Sequence, residues 1–157
     1  MPREDHRSPM TTIRVLDGNF APAPELEKGG GGGLVLNGRR VLLVEDDPLV
    51  VETIRDMVGE AGGEVAASPA TMAEARRLLR ADAVFDVALL DVNLADGEVT
   101  PLLEALQTRR VPVVVFSGGE LPANLRKRHP TLRVLRKPVI KARLVAELRT
   151  ASPRATA

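Results

Sequence analysis

Residues 40 to 48 read RVLLVEDDP: the aliphatic run Val41 to Val44 leads directly into Glu45, Asp46 and Asp47 and stops at Pro48. An unbroken aliphatic run of this kind has the character of a strand buried on both faces, as in parallel sheets. Three carboxylates at the end of such a strand repel one another, and that placement needs a use. Asp47, directly before Pro48, suits a helix cap followed by proline in the first turn. Glu45 and Asp46 are then left as a pair of acids at a strand end.

Working outward, short apolar runs alternate with segments of helical period. PLVVETIRDMVGEAG, from Pro48, carries Leu49, Ile54, Met57, Val58 and Ala61 at roughly helical spacing and stops at Gly62-Gly63. EVAAS (64–68) is a weaker strand. TMAEARRLLRAD (71–82) is a helix with Met72, Ala75, Leu78 and Leu79 on one face. DVALLD (86–91) is a second buried strand, EVTPLLEALQTR a helix, and VPVVVFS (111–117) the strongest strand. ELPANLRKR is a short basic helix, LRVLR (132–136) a fifth strand and VIKARLVAELRTA (139–151) the last helix. Five βα units in series predict an α/β fold, a doubly wound five-stranded parallel sheet covered by helices on both faces. In such sheets ligands bind outside the carboxyl ends of the strands.

Those ends are polar where the strands are not: Glu45-Asp46-Asp47, Asp91, Ser117 and Lys137-Pro138. Carboxylates gathered there call for a divalent cation, and an all-oxygen donor set favours Mg²⁺ over zinc or copper. Magnesium commonly takes a phosphate of the substrate, so phosphoryl chemistry is the natural use.

The rest of the composition excludes more than it proposes. The chain has 157 residues, enough for one domain, with 22 Lys and Arg against 21 Asp and Glu. So balanced a charge gives no reason to expect nucleic acid or membrane as partner. Without cysteine, and with only His6 and His129, disulfides, thiolate sites and a histidine zinc site are set aside. No apolar run reaches the roughly 18 residues of a membrane span, and no signal-peptide core is present, so a cytoplasmic protein is expected. Residues 1–38, with Pro2, Pro9, Pro22, Pro24 and the glycines from Gly29 to Gly33, read as a flexible tail and linker. No Gly-Lys-Ser/Thr follows the glycines, so they are not a phosphate loop. Asn37-Gly38 would suit a hairpin turn, but a central strand at Val41 to Val44 leaves that hairpin no place in the sheet. The domain is drawn at 39–150, with 151–157 as a short tail.

At this point the pattern reaches a family. LLVEDDP, ALLDVNLADG, VFSGG and LRKP, in this order and each at the end of its strand, resemble the receiver domain of two-component response regulators. The resemblance implies a flavodoxin-like sheet of order 2-1-3-4-5. It implies that Asp91 accepts a phosphoryl group from a histidine kinase or histidine phosphotransfer protein. Glu45, Asp46, Asp91 and the backbone carbonyl of Asn93 would hold Mg²⁺, while Ser117 and Lys137 would contact the phosphoryl oxygens. VPVVVFSGG, with DVNL before it, is similar in part to a subgroup of single-domain receivers that work with kinases of the HWE type.

The chain departs from the family at two places. DVNLADG is shorter than the usual loop and lacks its proline, and Val134 stands where many receivers carry an aromatic switch residue. Phe20, Phe85 and Phe116 are the only aromatics, and none falls there. Only ASPRATA follows Thr150, so the expected output is protein–protein contact, as effector, relay intermediate or phosphoryl sink, from a monomer or a phosphorylation-dependent dimer. Arg126-Lys127-Arg128-His129 reads as a solvated helix face. Two rivals are kept. One is a receiver-like module that works without phosphorylation, which the intact residue set disfavours. The other is a magnesium phosphatase, which would want a second acid at position 93, where Asn93 stands.

Overall fold

A computed structural model of the chain describes residues 35–94 and 96–151. Of the tail expected over 1–38, residues 1–34 lie outside the described residues, as do those from 152 onward. Five strands, β1 (Arg40–Val44), β2 (Glu64–Ala67), β3 (Val87–Asp91), β4 (Val113–Ser117) and β5 (Arg133–Arg136), alternate with five helices. These are α1 (Pro48–Glu60), α2 (Met72–Arg80), α3 (Thr100–Thr108), α4 (Ala123–Arg128) and α5 (Lys141–Ala151). Every pairing is parallel and the sheet runs β2-β1-β3-β4-β5, the order expected of a receiver.

Because side chains alternate along a strand, the sheet divides the core in two. Leu42, Val44, Ala88, Leu90 and Val115 face a cluster completed by Met72, Ala75 and Leu79 of α2, Leu102, Leu103 and Leu106 of α3, and Leu125 of α4. Val41, Leu43, Val87, Leu89, Val114 and Phe116 face the other, with Ile54 and Val58 of α1 and Leu144 and Leu148 of α5. All five residues of β3 are buried, as befits the middle strand. No helix among the described residues is long and apolar enough to cross a membrane.

Two local readings change. Leu49, expected on the inner face of α1, is 73% exposed. It lies five residues before Ile54, roughly 140° away round the helix, whereas Val50 and Val51 at four and three residues pack inward. Leu36, on the tail side of the boundary drawn at 38, is fully buried in the α1/α5 cluster. Its N–H bonds the Ala61 carbonyl at 2.9 Å and that of Gly38 bonds Gly62 at 2.7 Å. Residues 35–38 form a turn, with Asn37 and Gly38 at φ 44° and 73°, and no hairpin is made.

Candidate functional site

Parallel strands end together, so the residues that close β1, β3, β4 and β5 come to one edge of the sheet. Val44 pairs with Leu90, which brings Glu45, the next residue, beside Asp91. Glu45 is 1% exposed, Asp91 2% and Ser117 1%, whereas Asp46 is exposed. Glu45, Asp46 and Asp91 each offer a carboxylate oxygen within 4.8 Å of the others'.

Lys137, just past β5, reaches across to this group. Its Nζ lies 3.2 Å from Asp91 Oδ2 and 3.4 Å from Glu45 Oε2, and sits 4.9 Å above the centroid of the Phe116 ring. Burial alone would lower the lysine pKa. The hydrogen bond and charge of Asp91, followed by those of Glu45, outweigh it, and the pKa is raised. Glu45 is pushed up from 4.5 to about 7, first by burial and then by the charge of Asp91, against the opposing pull of the Asp47 N–H. That N–H donates to Glu45 Oε1 at 3.0 Å.

The other oxygens are also held. The N–H of Asn93 donates to Asp91 Oδ1 at 2.9 Å. The Ser117 hydroxyl donates to the Gly119 carbonyl at 3.1 Å and accepts from the Gly119 N–H at 3.2 Å. Asp47 Oδ1 accepts from the Leu49 N–H at 2.9 Å and caps α1, the part expected of it. Two buried acids and an exposed one, without His or Cys, make a hard-oxygen set suited to Mg²⁺. The raised Glu45 pKa is the strain that a divalent cation would relieve.

All of Glu45, Asp46, Asp91, Asn93, Ser117 and Lys137 therefore meet at this edge. Two participants were not anticipated. Phe116, buried beneath Lys137, takes its place from the alternation of β4, which turns it to the α1/α5 side while Val115 faces the other. Asp96 binds the start of α2, accepting from Met72 N at 3.0 Å and Ala73 N at 3.2 Å; the Asp-Gly pair at 96–97 was its only trace in the sequence.

Known proteins share this fold and the family pattern of the sequence. Residues 41–149 match the pattern of the response regulator receiver domain. No curated protein matches the chain. SdrG from Sphingomonas melonis Fr1 is 31% identical over 71% of this chain and 96% of its own, with a TM-score of 0.58. PhyR from Brucella abortus is 26% identical with a TM-score of 0.61, over 73% of this chain and 48% of that one. The chain thus matches about half the length of PhyR. A response regulator receiver protein from Sinorhizobium medicae WSM419, 22% identical over 74% and 98% with a TM-score of 0.62, shares the fold. The sheet order, the acids gathered at its edge and a match over most of the described residues lead to one conclusion: the chain belongs to the response regulator receiver family, the phosphoacceptor signalling domains of two-component phosphorelays.

Proposed function

We propose that Asp91 takes a phosphoryl group from a phosphohistidine, on a histidine kinase (of the HWE type) or on a histidine phosphotransfer protein. The observation that carries this reading is the buried Asp91 carboxylate, met by Lys137 at 3.2 Å and by Glu45 and Asp46 within 4.8 Å. Glu45, Asp46, Asp91 and the Asn93 carbonyl would hold Mg²⁺. When bound, the ion would neutralise the gathered negative charge and orient the phosphoryl oxygens.

One Asp91 oxygen attacks phosphorus, and the P–N bond of the donor breaks with its electron pair left on the imidazole. The ring leaves neutral when its other nitrogen carries the proton, and an acyl phosphate remains on Asp91. Lys137 passes from the Asp91 carboxylate to a phosphoryl oxygen, and the Ser117 hydroxyl turns from Gly119 to donate to another. Such a reaction asks mainly for alignment and charge neutralisation, and these side chains are held in place for it. The output runs through protein–protein contacts of the receiver itself, as effector, relay intermediate or sink, without turnover of a free substrate.

Intact mass after incubation with acetyl phosphate and Mg²⁺ tests the reading. One added phosphoryl group that requires Mg²⁺ and is lost in Asp91→Asn is expected. If neither an adduct nor magnesium-dependent beryllofluoride binding is found, the protein is instead a module that works without phosphorylation.

A further inference from the structure

The loop after Asp91 is the part of the site with the weakest family precedent, being shorter than usual and without proline. It is nonetheless anchored at both ends. Near β3, the Asn93 N–H is held by Asp91 Oδ1 at 2.9 Å. At the far end, the Asp96 carboxylate forks onto the first two N–H groups of α2, those of Met72 and Ala73. The third, of Glu74, is taken by the Thr71 hydroxyl at 3.1 Å, and Glu74 Oε2 in turn accepts from Ala70 N at 2.9 Å. The start of α2 is therefore capped from two sources, one local and one from the phosphoacceptor loop.

These sources are not equivalent. Thr71 directly precedes α2 and caps it alone, whereas Asp96 joins the helix to a loop from a different strand. Both Asp96 oxygens are engaged, and its charge meets the positive end of the helix dipole. Leu94, between the anchors, is 6% exposed and packs in the α2/α3 cluster. Asn93 and Asp96 are three residues apart in the chain, so the two anchors lie close together in sequence.

We infer that Asp96 is a positioning residue for the phosphoacceptor loop: by tying the loop to α2 it fixes the backbone at Asn93. The role of the Asn93 carbonyl as a magnesium ligand rests on the function proposed above; the tether does not. Residues behind metal ligands commonly alter metal affinity tenfold or more when removed.

Asp96→Ala is compared with Thr71→Ala, which removes a cap from the same helix end and leaves the tether intact. Three quantities are read on the full chain: melting temperature, hydrogen exchange of the Asn93 amide without metal, and Mg²⁺ affinity by calorimetry. Both variants are expected to melt lower than wild type. Only Asp96→Ala is expected to speed Asn93 exchange, and to weaken Mg²⁺ binding by about tenfold. Asp96→Asn, which keeps one acceptor, should fall between. If Asn93 exchange in Asp96→Ala equals wild type, or if Thr71→Ala speeds it as much, Asp96 is a helix cap only and the inference is overturned. A wild type that binds no Mg²⁺ overturns the metal reading, and Asn93 exchange alone then decides for or against the tether.

Discussion

Glu45 is the residue in which the site's chemistry and its cost are most plainly joined. Its carboxyl, ordinarily near 4.5, is pushed up to about 7 by burial and by Asp91. Below pH 4.5 it is protonated in both folded and unfolded chains, and its contribution to stability is complete. As pH rises the unfolded chain ionises first, so that contribution is lost progressively and is gone once pH has passed through about 7. The difference amounts to about 3 kcal/mol. In EDTA, urea midpoints followed by circular dichroism should fall over this range in the wild type and stay flatter in Glu45→Gln. Added Mg²⁺ should recover most of the wild-type loss near pH 7.5. An identical pH dependence in the two proteins would show that Glu45 ionises without strain. That Glu45, Asp46 and Asp91 belong together was legible from the sequence, since each follows or ends an aliphatic run. That Glu45 is buried while Asp46 faces outward was not, because adjacent residues differ in direction only once the strand is placed.

Among the elements, the contrast lies between α1 and α4. The first has an aspartate cap, proline in its first turn and two fully buried residues, Ile54 and Val58. The second has six residues, no side-chain cap and Leu125 as its one buried residue. Hydrogen exchange should therefore be fastest in α4 of the five helices, with α1 well protected; protection in α4 equal to that of α1 would contradict this. The sequence marked the unequal quality of these helices through apolar spacing, which is clear in α1 and poor in ELPANLRKR. It did not mark Leu36, because the three apolar residues Leu34 to Leu36 after a glycine run are too few to carry a periodicity. Yet a Cβ added at Gly63 would lie 2.9 Å from both Leu36 Cδ1 and Val58 Cγ1, so the leucine is closely packed. Leu36→Ala should cost about 2–5 kcal/mol in chemical denaturation. A chain beginning at residue 39 should lose at least as much relative to one beginning at residue 35. A negligible loss would mean that the domain starts where its first strand does.

At the scale of the whole molecule, binding at one edge should be felt by the entire fold. Mg²⁺ held only by the folded chain should raise the melting temperature with concentration, by about 2.7 kcal/mol of stability at a hundred times its Kd. Asp46→Asn should remove most of that gain while leaving the metal-free melting temperature nearly unchanged, because Asp46 is exposed. A gain that persists in the variant would place the ion elsewhere. The architecture was legible because fully buried strands and amphipathic helices have different periods, and here they alternate without a break. What the sequence left open were the ties between distant elements, such as Asp96 to α2 and Phe116 to Lys137, which depend on where loops and strand ends meet in space. One such placement has a mechanical side. Asp91 terminates the middle strand, buried along its whole length and bonded to a neighbour on either side. On the function proposed, chemistry at the tip of so firmly bedded a strand would act against an anvil: the sheet would stay put, and displacement would fall to the rim, where the turn after Ser117 and the short, uncapped α4 have least to hold them.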